Sequence, residues 1–506
     1  MPTPRPLLNL LLLLTMLIPP STHAAQPAPP PSARQLGDQI VQAFRDRNFR
    51  SAEQLLREQL ELIPTDFVPH YNLACALAQL NQPEPALDSL GRAIELGFAD
   101  PAQLRSDPHL APVRNHPRFQ SILTAWDRIV LAQADARQQT LPNIYGPDYL
   151  YTRDDALRLL YASALDPRAT ADAVAEVESI NQWAIRHVFT ELAGSNANNN
   201  TNAYTPASDA YVAVILPTPR DFLGWAITTY GPAARGNYFT IGGAYSHDHK
   251  QLVAQDIGAT LRHEYFHVVH HRSATRLGQQ HPVWIQEGLA CLVEDLDPKD
   301  GKLVPAPSWR SNIAKRLERA GRLARIEDLA AIPRARFNER RPMANYAQAR
   351  VFFMYLFDLG LIDDFYAGYI DTFQNDPTGM TAIRALFPEH DLRQINRDYR
   401  AWVRQLPEAP EGLNPGDASL GIEIETGAGD GPRLASFPRG QAREQGLRKG
   451  DVITAINNRP TRDQAELVRV LSAFQPGDTV TLTYRRGRDY AEAQLQLVPF
   501  EPPLLP

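Results

Sequence analysis

Residues 261–271 read LRHEYFHVVHH and place four histidines and one glutamate within eleven residues. His263 and His267 are four positions apart, which on an α-helix puts both imidazoles on one face, about 6 Å apart along the axis. Glu264 follows the first of these histidines, so its carboxylate can reach a water bound to a metal held between them. The stretch therefore predicts a helix that carries two metal ligands and a general base.

The other two histidines of this stretch are not predicted to be ligands. His271 lies about 12 Å from His263 along an unbroken helix, so one ion cannot bind both. No glycine that could turn the chain occurs between His267 and Gly278. We therefore expect His270 and His271 to lie around the site or on the surface.

The third ligand is expected on a second helix, within residues 281–297, HPVWIQEGLACLVEDLD. Pro282 favours a helix start, and Glu287 comes twenty residues after His267. Catalytic zinc sites use three protein ligands, which leaves the choice between Glu287 and Glu294, two turns further along the same face. Glu287 is the preferred candidate.

The motifs HEYFH (263–267) and WIQEGLA (284–290) resemble those of the gluzincin metallopeptidases, in the broad peptidase-MA-like group. They are most similar to bacterial members with tetratricopeptide repeats and to glycyl-aminopeptidase-like members with a C-terminal PDZ domain. The resemblance covers about 206–405 and implies a mostly helical α+β metallopeptidase domain with a small sheet. It also implies that Zn²⁺ is bound by His263, His267 and Glu287, and that Glu264 is the catalytic base and acid.

Two further positions, 346 and 291, bear on the resemblance to this family. The stretch NYAQARVFFMYLFDLG (345–360) matches a helix that carries a tyrosine, so Tyr346 is the candidate to hydrogen-bond the oxyanion. A tyrosine packed at a helix start is an equal alternative. Some members carry a carboxylate four residues after the glutamate ligand to orient a histidine, but here that position is Cys291.

Upstream of the motif, GGAY (242–245) resembles the edge strand that pairs with the substrate backbone in these enzymes. A plain structural hairpin is equally compatible with this stretch. His247 and His249 follow it, and the count of three protein ligands favours turn positions for both.

The N-terminus predicts export. Arg5 precedes a run of twelve apolar residues, Leu7 to Ile18, and Thr22-His23-Ala24 offers a small-residue cleavage site. We interpret residues 1–24 as a signal peptide and 25–35 as a Pro-rich linker, which places the protein in the periplasm or outside the cell. No later stretch is long and apolar enough to cross a membrane.

A helical repeat is expected over 36–124. The segments 48–64 and 82–98 align with an offset of 34 residues, which resembles the tetratricopeptide period. An ordinary array of helical hairpins is the alternative, and docking of a protein partner is the role that either favours. Residues 125–205 are predicted to be a helical connector, including DDALRLLYASAL (154–165), followed by a polar loop.

The C-terminal part switches to short strands after a linker at 406–416. Residues 417–500, with the marker GLRKGDVITAINNRP (446–460), resemble a bacterial PDZ domain. By this resemblance, SLGI (419–422) receives a protein C-terminus by strand addition. The alternative is a lid that only packs against the peptidase.

Composition is compatible with several globular domains. The chain has 506 residues, 43% of them hydrophobic, and a net charge of −6 without a long basic run, so nucleic acid and anionic membranes are not expected partners. Cys75 and Cys291, in different domains, are expected to be free thiols.

The predicted function is a secreted zinc metallopeptidase acting on peptides or proteins. The alternative is a catalytically inactive scaffold or binding protein of the cell envelope. The cysteine at position 291, where some family members have a carboxylate, is compatible with this alternative.

Overall fold

The computed structural model describes residues 32–193, 209–236, 241–425, 429–437 and 440–502. The predicted signal peptide lies outside these residues, as does most of the predicted Pro-rich linker. The described part of the chain folds into a helical N-terminal region, a central core built on a five-stranded sheet, and a β-rich C-terminal region.

The N-terminal region contains two helical hairpins of equal period. Their first helices begin 34 residues apart, and so do their second helices. Small side chains such as Ala52, Ala74 and Ala86 are fully buried between the helices, which lets the helices approach closely. The four helices are α1 (Ala33–Arg45), α2 (Phe49–Leu62), α3 (Phe67–Gln79) and α4 (Pro83–Glu95).

Three helices then lead to the core: α5 (Pro101–Ser106), α6 (Pro117–Thr124) and α7 (Trp126–Tyr145). The last of these contributes Ala134 and Leu141 to a cluster that includes residues of the central sheet. The helical region is therefore packed against the core rather than tethered to it by a linker.

The central sheet has the order β1-β2-β3-β5-β4, in which β2-β3 and β3-β5 are parallel and the other pairs antiparallel. β3 lies within the apolar run AYVAVILPTP (210–219), and β4 lies at the edge of the sheet. The strands are β1 (Leu150–Asp154), β2 (Leu159–Ser163), β3 (Val212–Leu216), β4 (Gly243–Ser246) and β5 (Gln251–Ala254).

The helix predicted over DDALRLLYASAL (154–165) is wrong, because this stretch forms the end of β1, a turn and β2. Arg158 has a φ of 52° in that turn, and every residue of β2 is buried between β1 and β3. A strand covered on both faces is a continuous apolar run, which periodicity does not distinguish from a buried helix. Because β1 and β2 share the sheet, the core begins well before the predicted boundary at 206.

Helices cover the sheet and complete the core. α10 lies against β4, β5 and α8, and α11 packs on both α10 and α15. These helices are α8 (Pro167–His187), α9 (Pro219–Tyr230), α10 (Ala259–Leu277), α11 (Val283–Ala290), α12 (Trp309–Arg319), α13 (Ile326–Ala330), α14 (Arg334–Glu339), α15 (Pro342–Asp358), α16 (Ile362–Thr372), α17 (Met380–Leu386) and α18 (Leu392–Gln405). A 3₁₀ turn, Cys291–Glu294, and the hairpin β6 (Leu296–Lys299) and β7 (Lys302–Pro305) follow α11.

The C-terminal region has a main sheet of order β14-β13-β11-β10-β9, with one helix, α19. No described strand pairs with the outer edge of β9. Just before β9, Gly421 has a φ of 69°, a conformation that glycine adopts without strain. The elements are β8 (Ala418–Ser419), β9 (Glu423–Glu425), β10 (Arg433–Ser436), β11 (Val452–Ile456), β12 (Arg459–Pro460), α19 (Gln464–Leu471), β13 (Thr479–Arg486), β14 (Asp489–Gln496) and β15 (Val498–Pro499).

Neither cysteine is in a disulfide: Cys75 and Cys291 are buried free thiols, as expected. No helix in the described part of the chain is both long and apolar enough to cross a membrane.

Gly288 offers a test of the packing between α11 and α15. A Cβ at this position would lie 2.6 Å from Cδ2 of Phe353 and 3.0 Å from Cβ of Ala349. We expect Gly288→Ala to destabilise the protein by about 1–3 kcal/mol, because the two helices must move apart. Gly91→Ala is the control, since no atom lies within 4 Å of its added Cβ. Thermal denaturation should show a lower midpoint for the first variant only; equal midpoints would contradict this packing.

Candidate metal centre

α10 and α11 bring three predicted ligands together. Nε2 of His263 and Nε2 of His267 lie 3.1 Å apart, and each lies 3.3 Å from Oε2 of Glu287. All three residues are at least 91% buried. The geometry therefore agrees with the ligand set expected from the spacing of the motifs.

The three atoms fit a zinc ion. Ligands at about 2.1 Å on the corners of a tetrahedron are about 3.4 Å from one another, close to the distances found here. Two imidazole nitrogens and a carboxylate oxygen are also a ligand set that catalytic zinc sites use, with the fourth position left for water or substrate. His263, His267 and Glu287 can thus hold Zn²⁺ with little rearrangement.

Glu264, the predicted general base, is buried beside these ligands. Burial raises the pKa of its carboxyl above the ordinary value, while His263, His267 and the backbone N–H of Tyr245, on β4, act in the opposite direction. A raised pKa suits a group that takes up a proton and returns it near neutral pH. The ion itself would lower this pKa again.

Glu294, the alternative third ligand, lies on the other side of the His263 ring from Glu287. Its Oε1 lies 2.9 Å from Nδ1 of His263, the ring nitrogen that faces away from Glu287. Arg310 holds the same carboxylate through two contacts of 2.5 and 2.9 Å. Glu294 therefore orients the His263 ring, the task expected of a carboxylate at the position of Cys291.

The candidate ligands shift the pKa values of one another. Burial lowers the pKa of His263, but Cys291, Glu287 and Glu294 outweigh it and hold that pKa well above the ordinary value. Burial raises the pKa of Glu287, and the imidazoles of His267 and His263 bring it far below its usual range. Because a metal ligand must be a neutral imidazole, metal binding at this set would be linked to the release of a proton.

Tyr346 lies near the centre, in α15. Its ring packs against Phe337, and the guanidinium of Arg310 lies 5.5 Å from the ring centroid. Burial raises the pKa of its hydroxyl, and the charges of Glu287 and Glu264 add to this effect. The tyrosine is therefore both packed and electrostatically coupled to the ligands, and its catalytic role stays a prediction.

The remaining histidines do not join the ligand set. Nε2 of His270 contacts Nδ1 of His281 at 2.8 Å, and His271 stacks on His247 with ring centroids 4.6 Å apart. His249 contacts the ring of Phe67 edge-on. These contacts agree with the expectation that none of the four predicted non-ligands binds this ion.

The sequence reading did not identify Arg262, which precedes the first ligand. Its side chain is 3% exposed, and Nη1 contacts Glu176 of α8 at 2.9 Å and Glu466 of α19 at 2.8 Å. Nη2 donates to the carbonyl oxygen of Glu294. The only available signal was a charged residue on the buried side of an apolar helix. Its partners are up to 204 positions away, so no local pattern identifies them.

The C-terminal region also caps the metal-binding helix. Oδ1 of Asp256 accepts a hydrogen bond from the backbone N–H of Thr260 at 3.1 Å in the first turn of α10, and Oδ2 of Asp463 accepts one from the N–H of Ala259 at 3.2 Å. Arg469 of α19 contacts Asp295 and Asp297, next to Glu294. The two regions are therefore joined by charged groups at both ends of the ligand set.

Comparison with known proteins identifies the C-terminal region. A family model described as a PDZ domain matches residues 405–497, which confirms that prediction. Two curated chloroplast proteins from Arabidopsis thaliana align with parts of the chain. "Protease Do-like 8, chloroplastic" is 38% identical over 48 residues, and the second protein is 37% identical over 60 residues. These alignments cover 10% and 12% of this chain, and 11% and 18% of the relatives.

Similar solved structures fall into two groups. A serine endoprotease from Yersinia pestis is 22% identical, with a TM-score of 0.15, and covers 17% of this chain and 30% of that chain. An aminopeptidase N family protein from Idiomarina loihiensis is 13% identical, with a TM-score of 0.27, and covers 70% of this chain and 67% of that chain. The gluzincin and tetratricopeptide assignments stay predictions.

The role of Glu294 is testable through metal affinity. We expect Glu294→Ala to weaken zinc binding by about 10- to 100-fold, because the ring of His263 loses the carboxylate that orients it. Glu95→Ala, on the surface of α4, is the control and should leave the affinity unchanged. Competition with a chromogenic chelator measures both, with far-UV circular dichroism as the check on folding. Equal losses in the two variants would show that Glu294 has no special role.

The charged junction is testable through stability. Glu466→Ala should cost about 3 kcal/mol, the lower end for breaking a buried ion pair, because Glu176 still contacts Arg262. Glu95→Ala removes an ion pair on the surface of α4 and should leave the thermal midpoint unchanged. If both variants melt like the parent, the junction does not hold α10 in place.

Proposed function

We propose that this chain is a zinc-dependent peptidase. The observation that carries the proposal is the triangle of ligand atoms on His263, His267 and Glu287, with the carboxylate of Glu264 beside it. Two histidines one helical turn apart and a glutamate from a second helix are one of the arrangements that support metal-assisted hydrolysis.

The chemistry divides between the ion and the chain. His263, His267 and Glu287 would hold Zn²⁺, which would supply Lewis-acid activation of a water and of the substrate carbonyl. Glu264 accepts the proton of the attacking water and later gives a proton to the leaving amine. Glu294 keeps His263 in one orientation throughout, and Tyr346 donates a hydrogen bond to the carbonyl oxygen as it gains negative charge.

Substrate binding is assigned to the edge of the sheet. Among the strands that the structure describes, β4 pairs only with β5, and the backbone N–H of Tyr245 in β4 faces Glu264. An extended peptide that adds to this free edge lies alongside the catalytic carboxylate. The stretch 242–245 thus serves as a substrate-binding strand in the proposal.

The other domains are proposed to select partners. In the PDZ domain the stretch 419–422 precedes β9, whose outer edge can accept a protein C-terminus as an added strand. The helical hairpins, proposed to be tetratricopeptide repeats, offer a surface for a protein partner. Export to the periplasm or the cell exterior is the proposed location, on the basis of residues 1–24.

A non-catalytic scaffold of the cell envelope is the second candidate. Its support is the extent of the two flanking regions and the departure from the family pattern at Cys291. The ligand geometry weighs against it, because Glu294 supplies the carboxylate that Cys291 lacks.

Replacement of the general base separates the two candidates. Glu264→Gln should lower the rate of digestion of a denatured protein by about 10²–10⁴-fold, because the amide cannot take up the proton, while zinc stays bound. Glu61→Gln, on the surface of α2, is the control and should digest like the parent. A chelator should abolish the activity of the parent. Undiminished digestion by Glu264→Gln would refute the proposal.

A further inference from the structure

A cavity separate from the candidate metal centre lies where the helical region meets the core. It has a volume of about 380 Å³, within the range of pockets that hold small molecules. α5 forms one wall, the C-terminal half of α10 another, and β3, β4 and the turn between β4 and β5 contribute the floor. Its apolar lining is Ala99, Pro101, Ala102, Ala210 and Val212.

Positive charge dominates the polar lining. Arg105, Lys250, Arg272 and Arg276 face one carboxylate, that of Asp209. Arg105 and Arg276 are exposed, whereas Lys250 and Arg272 are buried, so the cations extend from the rim to the floor. Asp209 is already engaged, since Oδ2 lies 3.0 Å from Nη2 of Arg276. Nε of Arg272 lies 3.7 Å from the same oxygen, so Asp209 pairs with two of the four cations. Lys250 and Arg105 are the two that an incoming anion can engage.

Lys250 is the most informative of these residues. Its side chain is buried, Nζ lies 3.1 Å from Nε2 of His247, and no carboxylate oxygen of the described residues lies within 4.0 Å of it. Burial lowers the pKa of Lys250 to about 8, although Asp100, Asp248 and Asp209 oppose the shift. A buried ammonium without a bound carboxylate is costly unless a ligand supplies the negative charge.

The backbone holds this lysine in place at a cost. Lys250 has a φ of 47°, in the left-handed region that non-glycine residues rarely adopt. Nη1 of Arg137 donates to the carbonyl oxygens of His249 and Lys250, each at 3.0 Å, and so fixes the turn between β4 and β5. Strain that persists in a well-held turn is typical of residues kept for binding.

We propose that this cavity is an oxyanion-binding site for a small organic anion, in which Lys250 and Arg105 contact a carboxylate or phosphate group and the apolar wall receives the rest of the ligand. The anionic group that binds here can belong to a free phosphate compound or to the terminal carboxylate of a peptide.

The peptide source rests on the proposed function. Thr275, which lines the cavity, is eleven residues after Glu264 in the same helix, about 16 Å along the axis. Tyr245 belongs to both places: its backbone faces Glu264 and its side chain lines the cavity. An extended peptide covers this distance with about five residues. A peptide lying along β4 can therefore reach the cavity with its terminal carboxylate.

Calorimetric titration of the full, zinc-loaded chain at constant ionic strength tests the site. The probes are inorganic phosphate and an acetylated penta-alanine peptide, with either a free or an amidated C-terminus. Lys250→Met should weaken binding of the anionic probes by about tenfold or more, and exposed Arg105→Gln by a few-fold, because each removes a charge-assisted hydrogen bond. Lys449→Met, an exposed lysine of the PDZ domain, is the matched control and should bind like the parent.

The outcomes divide clearly. Loss of phosphate binding in Lys250→Met supports the site. If the parent prefers the peptide with a free C-terminus over the amidated one, and Lys250→Met loses this preference, the ligand is a peptide carboxylate. Equal binding by the parent and Lys250→Met overturns the proposal, since zinc would then be the binding group. No binding of either anion by the parent also overturns it. Neither result depends on hydrolysis, which Glu264→Gln tests separately.

Discussion

Burial of charge around α10 is the constraint on which the centre depends. His263 and His267 lie on a helix inside the core, and this location also buries Glu264 and Arg262. Each buried charge then needs a partner, because an unpaired one costs several kcal/mol. α8, α11 and α19 supply those partners, which explains why residues from three regions of the sequence meet here.

The PDZ domain has two separate relations to the rest of the chain. One side of α19, with Glu466 and Arg469, is ion-paired to the core, while Gln464 and Ala465 on another side are exposed. The outer edge of β9 is also unpaired among the described strands. The domain can thus stabilise the metal-binding helix and still present a free strand edge. The lid and the peptide-binding interpretations are therefore compatible.

The sequence was most informative where chemistry depends on local spacing. Two histidines four residues apart share a face of any α-helix, so His263 and His267 were predictable, and the choice of Glu287 followed from the need for a third ligand. It was least informative where the partner of a residue is decided by contacts in the folded chain. Cys291 suggested a missing carboxylate, yet Glu294 three residues later occupies the position at His263, because a 3₁₀ turn follows α11 at this point.

The sequence by itself determined the helix that carries His263 and His267, the candidate ligand types and the PDZ region, since these are encoded in periodicity and short motifs. Only the tertiary structure decided that DDALRLLYASAL forms a strand, that Arg262 pairs with Glu466, and that Lys250 and Arg105 share a cavity. Their partners lie up to 204 positions away along the chain. Local patterns carry no information on such pairs, because their free energy arises only when the chain has folded.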